Sequence, residues 1–253
     1  MVDVHIVGAG PGDPELITRK GYRLVQEADV VIYAGSLVNP VILEACKPGC
    51  EIHNSATMSL DEVLAVMKAS VEAGKSVVRL HTGDPAIYGA IQEQMDALAS
   101  MGISYEVVPG VSSFLATAAA LKQEYTLPNV SQTVIITRME GRTPMPPKEK
   151  LRMLASHEAT MCIFLSVQML DKVVAELIEG GYDKTTPVAI VVKASWPDQR
   201  IIRGTLETIA DIVAKEGVLR QAMIVVSHVL DSEYELSKLY DKGFAHMYRS
   251  AKD

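Results

Sequence analysis

Three short stretches hold residues whose types and spacing suit ligand chemistry: "GAGPGDP" (8–14), "HTGDPAIYGA" (81–90) and "PGVSSFLA" (109–116). Each sets a Gly near a Pro, which permits close backbone approach and then restricts the loop's shape. The first follows an apolar run (Val4, Ile6, Val7), as a phosphate loop follows a first strand. The dinucleotide fingerprint G-x-G-x-x-G would place a third glycine at position 13. Asp13 stands there instead, and its carboxylate repels a pyrophosphate. The fingerprint also needs an acid at the end of the next strand, to hold a ribose. That strand, "ADVVIYAGS", ends in Tyr33, Ala34, Gly35 and Ser36. The NAD reading fails on both counts.

Ser112 and Ser113 stand where a helix begins, so hydroxyls and free backbone N–H groups face one space. Asp84 adds a negative charge to it. Backbone donors, hydroxyls and one acid suit a zwitterionic, partly cationic ligand. Taken singly, a Gly-Pro turn or a serine N-cap is ordinary loop chemistry. Three such loops on one sheet edge make a ligand site, because ligands of open α/β sheets gather at the strands' carboxyl ends.

Other candidates carry less. Ser36, Tyr33 and His81 are candidate bases by position only, and no nucleophile–base motif is present. Cys46, Cys50 and His53 form C-x3-C-x2-H, too few ligands for a structural metal site and spanning an ordinary Pro-Gly turn, so no metal is expected. Met153, Met161, Met169 and Met223 sit in apolar runs and read as core filler. Arg138, Arg142, Lys148, Lys150 and Arg152 gather within fifteen residues. They read either as a solvated loop and helix face or as cations for an anionic substrate.

These residues are positioned by alternating elements. Residues 2–121 read as strands separated by amphipathic helices, one opened by a Ser59/Glu62 capping box. A connector at 124–129 leads into a second series of strands and helices, with Gly180-Gly181 closing one of them. The expected fold is α/β: an N-terminal domain over 1–123 and a C-terminal domain over 130–253, each a mainly parallel or mixed sheet flanked by helices. The tail 231–253 has no clear period.

The chain has 253 residues, 48% of them hydrophobic and 22% charged, with a net charge of −7. An acidic balance argues against a nucleic-acid footprint. No apolar run approaches the roughly 18 residues of a membrane span, and no secretion signal is read. Three cysteines fit a reducing cytoplasm.

The succession "VGAGPGDPELIT", "TGDPAIYG", "PGVSS", "TPVAIV" and "GTL" resembles the tetrapyrrole methyltransferase family, over roughly residues 2–230. The resemblance implies a two-domain α/β homodimer holding S-adenosylmethionine (SAM) in the cleft between its domains and acting on a tetrapyrrole. It places Pro11, Thr82, Gly83, Asp84, Ile87, Ser112 and Ser113 against SAM. Leu165 matches the apolar position beside the adenine, and Ala189 and Ala194 match small residues near the cofactor. Ala194 replaces a glycine, which leaves a backbone contact open but argues against a left-handed conformation there. Ser36, Arg138 and Arg142 are the expected substrate contacts. Within the family, "YAGSLVNP" and "GDPAIYGAIQEQM" resemble the members that methylate C(11) of precorrin-4 or its cobalt form. The alternatives are another tetrapyrrole position, a diphthine precursor, ribosomal RNA, or a non-catalytic SAM- or tetrapyrrole-binding protein.

Overall fold

In the computed structural model, residues 2–237, 241–245 and 247–250 are described. The chain divides into two compact units: Met1–Thr117 with Lys193–Gln199, and Ala118–Val192 with Arg200–Asp253.

The first unit is built on a five-stranded parallel sheet. Its strands are β1 (Val4–Gly8), β2 (Val30–Tyr33), β3 (Glu51–Asn54), β4 (Val77–His81) and β5 (Tyr105–Val108), in the order β3-β2-β4-β1-β5. The helices between them are α1 (Arg19–Glu27), α2 (Leu60–Glu72) and α3 (Gln92–Ser100), with α4 (Ser113–Leu121) after β5. One sheet face buries Val7, Val31, Val78 and Leu80 against Val25, Val38 and Ile42. The other buries Val4, Ile32 and Val77 against Leu64, Met67 and Leu98. Burial on both faces explains the continuous apolar strands, each large aliphatic side chain contributing about 1.5–3 kcal/mol. The Ser59/Glu62 capping box opens α2 with both reciprocal bonds in place.

The second unit carries a mixed sheet, β6-β7-β10-β8-β9, formed by β6 (Val134–Arg138), β7 (Thr160–Phe164), β8 (Pro187–Val192), β9 (Arg200–Thr205) and β10 (Ala222–Val226). Only β6 and β7 pair in parallel. Helices α5 (Leu151–Ala155), α6 (Leu170–Gly180) and α7 (Ile209–Glu216) pack Leu151, Leu177 and Ile209 against Met161, Ile190 and Ile224.

Two details differ from the sequence reading and a third adds to it. Strand β3 follows the Pro-Gly turn in a stretch to which the sequence reading gives no element; it is an edge strand with little burial to give it a pattern. The stretch 148–157, which reads as one helix, gives an α5 of only five residues, because Pro146 and Pro147 lead into a separate 3-10 turn. The connector 124–129 is packed: Tyr125 and Leu127 are buried, and Thr160 donates to the Tyr125 carbonyl at 2.9 Å. Part of the tail, 238–240, 246 and 251–253, lies outside the described residues.

Candidate functional site

The three loops are brought together at the carboxyl edge of the first sheet. Ala9 N–H donates to the His81 carbonyl at 2.7 Å, and Gly10 and Gly83 exchange backbone bonds of 3.3 and 2.7 Å. The turn after β5 approaches so closely that a Cβ on Gly110 would lie 2.1 Å from the Gly83 carbonyl oxygen and 2.9 Å from the Gly8 Cα. Backbone therefore packs on backbone, and glycine at 110 is a steric requirement.

Asp84 closes the arrangement. Its carboxylate accepts from Ala86 N–H at 2.8 Å and, across to the next loop, from Gly110 N–H at 2.9 Å. The acid expected to bring charge to a ligand is thus engaged in holding two loops together. Ser112 is buried, and its carbonyl accepts from Leu115 and Ala116 at the start of α4. Thr82, Ile87 and Ser113 are half-buried at the same edge. Tyr88 and Ala90 adopt left-handed backbone (φ 56° and 49°), strain that non-glycine residues keep where the surrounding structure fixes them.

The first loop is held from two sides. Asn39 donates to the Gly12 carbonyl at 2.8 Å. From Lys193–Gln199, Trp196 Nε1 donates to the Pro11 carbonyl at 3.0 Å, while Ser195 Oγ accepts from Asp13 N–H at 3.0 Å. Asp13 itself caps the 3-10 turn Pro14–Leu16 through Glu15 N–H. Its carboxylate is a local capping group, which completes the case against a pyrophosphate. Sequence reasoning passed over Ser195 and Trp196, whose partners lie more than 180 positions away. The available signal was the chain's one tryptophan in a loop of small and turn-forming residues after a buried strand. Ala194 is buried and outside the left-handed region, whereas its neighbours Lys193 and Ser195 lie within it (φ 51° and 70°).

At the carboxyl end of β4, His81 is buried and its Nε2 has no hydrogen-bond partner among the described residues. Burial, followed by the charge of Arg79, pushes its pKa down to about 3. A base that weak does not accept a proton usefully near neutral pH. Arg79 is also buried, donating to Gln94 Oε1 and the Ile32 carbonyl, and burial lowers its pKa to about 10. Ser36 is exposed after β2, and Tyr33 is half-buried at that strand's end.

In the second unit, Arg138 and Leu165 share the carboxyl edge of β6 and β7. Leu165 is 67% exposed and left-handed at φ 56°, an apolar side chain held outward by its backbone. Ala189 is fully buried within β8, in register with Val225 and Arg203. The Arg138 guanidinium donates to the carbonyls of Met139, Thr143 and Pro144 at 3.1–3.3 Å, so it shapes its own loop. Arg142, in that loop, is exposed. Lys150 pairs with Glu140, and Arg152 with Glu176 and Glu179.

Among the described residues no group of three or more His, Cys, Asp or Glu is placed to hold a metal ion. Burial and the neighbouring Cys50 raise the Cys46 thiol to about 11. None of the described helices is long and apolar enough to cross a membrane. The first unit's loop edge is thus built of closely packed backbone, with Thr82 and Ser113 half-buried beside it.

The model for Tetrapyrrole (Corrin/Porphyrin) Methylases matches residues 3–210. The chain belongs to this family. A tetrapyrrole methylase from Methanocaldococcus jannaschii, a cobalt-precorrin-4 C(11)-methyltransferase, is 63% identical over 249 residues, covering 98% of this chain and 96% of its own. The solved structure of a cobalamin biosynthetic enzyme, cobalt precorrin-4 methyltransferase, shares 49% identity and a TM-score of 0.89, covering 91% of this chain and 96% of its own. The uroporphyrin-III C-methyltransferase of Thermus thermophilus, solved with S-adenosyl homocysteine, shares 31% identity and a TM-score of 0.75, covering 90% and 93%.

Proposed function

We propose that this tetrapyrrole methylase transfers a methyl group from SAM to C(11) of cobalt-precorrin-4 or precorrin-4, in corrin biosynthesis. The observation that carries the reading is the loop edge of the first unit. There Gly10, Gly83 and Gly110 pack backbone on backbone, in a chain 63% identical to a C(11) enzyme. The cobalt form is favoured by the name of that relative. SAM supplies an already activated methyl group, so the protein's task is alignment and exclusion of water rather than nucleophilic catalysis. His81, whose pKa burial lowers to about 3, has no part as a base in this reading.

Pro11, Thr82, Gly83, Ile87, Ser112, Ser113 and Ala194 would hold SAM from the first unit, with Asp84 fixing their loops. The family resemblance adds Leu165 as an apolar contact for the adenine and Ala189 as a small residue near the cofactor. Ser36 and Arg142 would meet the tetrapyrrole, and Arg138 would shape the loop that carries Arg142. We assign the protein a cytoplasmic, homodimeric state on the family resemblance and on its free cysteines. The test is incubation with SAM and each form of precorrin-4, followed by mass and NMR analysis. One added methyl at C(11) is expected; methylation elsewhere, or none, overturns the reading.

A further inference from the structure

The segment Lys193–Gln199 belongs to the first unit although it lies between two strands of the second unit's sheet. Its contacts fall on three consecutive residues of the first loop. Trp196 Nε1 donates to the Pro11 carbonyl at 3.0 Å, and Ser195 Oγ accepts from Asp13 N–H at 3.0 Å. Between them, Gly12 lies under the indole: a Cβ there would be 2.0 Å from Nε1 and 2.1 Å from Cδ1. The ring fills the volume that a side chain at position 12 would need.

The segment is itself braced. Lys193 Nζ lies 5.7 Å from the Trp196 ring centroid and pairs with Asp198, while Ser195 N–H donates to Gln199 Oε1 at 2.8 Å. Lys193 and Ser195 are held left-handed, a conformation that persists in non-glycine residues only where neighbours fix it. A braced segment pressed on a Gly-Pro-Gly loop is a template for that loop.

We infer that Trp196 and Ser195 are positioning residues for the methyl-donor site: they set the conformation of residues 11–13, and SAM affinity depends on them. The indole N–H and the ring have separable parts, the first fixing one carbonyl and the second covering Gly12. The inference rests on the proposed SAM function for its ligand arm, but its structural arm is independent of any ligand.

The test uses the full chain with Trp196→Ala, Trp196→Phe and Ser195→Ala. Amide hydrogen exchange at Gly10, Gly12 and Asp13, the stretch's three N–H groups, is measured without ligand, and SAM binding by calorimetry. Ser195→Ala is expected to speed exchange at Asp13, and Trp196→Ala to loosen the whole stretch. The SAM dissociation constant should rise about tenfold or more in Trp196→Ala, and about threefold to tenfold in Trp196→Phe, which loses one hydrogen bond but keeps the ring. The KM for SAM should follow, with kcat at saturating SAM within about twofold and the tetrapyrrole KM unchanged, a split that general destabilisation does not give. Parent-like exchange at 10–13 in the folded variants overturns the inference, as does parent-like SAM affinity. Should Trp196→Ala not fold, Trp196→Phe and Ser195→Ala decide the question. A parent protein that binds no SAM defeats the functional reading alone, since exchange at 10–13 still decides the positioning.

Discussion

The Asp84 carboxylate accepts the Gly110 N–H at 2.9 Å, tying the loop after β4 to the turn after β5 across 26 positions of sequence. Its second oxygen accepts from Ala86 and shapes its own loop. Asp84→Ala should lower unfolding free energy by about 1–3 kcal/mol, because two backbone donors lose a charged acceptor. SAM affinity should fall with it. Asp84→Asn retains one carbonyl acceptor and should recover only part of either loss. Urea titration paired with calorimetry checks both, and unchanged values in Asp84→Ala would leave the residue without a role.

Gly110 gives a sharper steric prediction. A methyl group there meets the Gly83 carbonyl oxygen at 2.1 Å, and both partners are backbone. Gly110→Ala should destabilise the fold by about 3 kcal/mol or more, or abolish soluble expression, since strand-end backbone has no rotamer to yield. Thermal unfolding of the variant decides it.

The arginines after β6 should behave differently from each other. Arg138 spends its guanidinium on three carbonyls of its own loop, while Arg142 is exposed on that loop. Arg142→Ala is expected to raise the tetrapyrrole KM several-fold with SAM affinity intact, an effect that added salt should mimic. Arg138→Ala should also raise that KM, but with a lowered melting temperature, because the loop loses its internal bonds. Steady-state kinetics across salt concentrations, read beside melting curves, separate the two.

His81 predicts a pH dependence. Unfolded, it takes up a proton as pH falls through 6.5; folded, it resists until about 3. Its depressed pKa therefore contributes stability that is present above pH 6.5 and lost progressively as pH falls toward 3. His81→Leu should flatten the dependence of unfolding free energy on pH between those limits, relative to the parent. Asp29, held low by Lys47 and Ser76, contributes in the more acidic range and is common to both proteins. Parallel slopes in the two would show that His81 does not titrate on unfolding.

Much of this was legible in the residues themselves. The loop after β1, the α2 capping box and the Gly181 end of α6 (φ 136°) rest on local chemistry, and local chemistry is written in adjacent positions. Strand β3 was not legible, because an exposed edge strand lacks the alternation that burial imposes. Asp84 stands out in the sequence for its charge, yet one of its partners is a backbone N–H 26 positions away that no sequence pattern marks. The same holds for Arg138: a cation at a strand end reads as a ligand for anions, and the carbonyls that occupy it belong to a loop with no periodicity. Trp196 and Ser195 lay furthest out of reach, their partners set by tertiary folding alone.

One tryptophan among 253 residues, lying over Gly12 with its N–H on the Pro11 carbonyl, makes the protein its own optical probe. Excitation on the red edge of the absorption band passes over the nine tyrosines, so the emitted light originates at the first loop. Its colour and lifetime follow the indole's hydrogen bond and its exposure to water, and therefore follow that loop. Ligand titrations, stopped-flow mixing and unfolding curves can all be recorded there without a label.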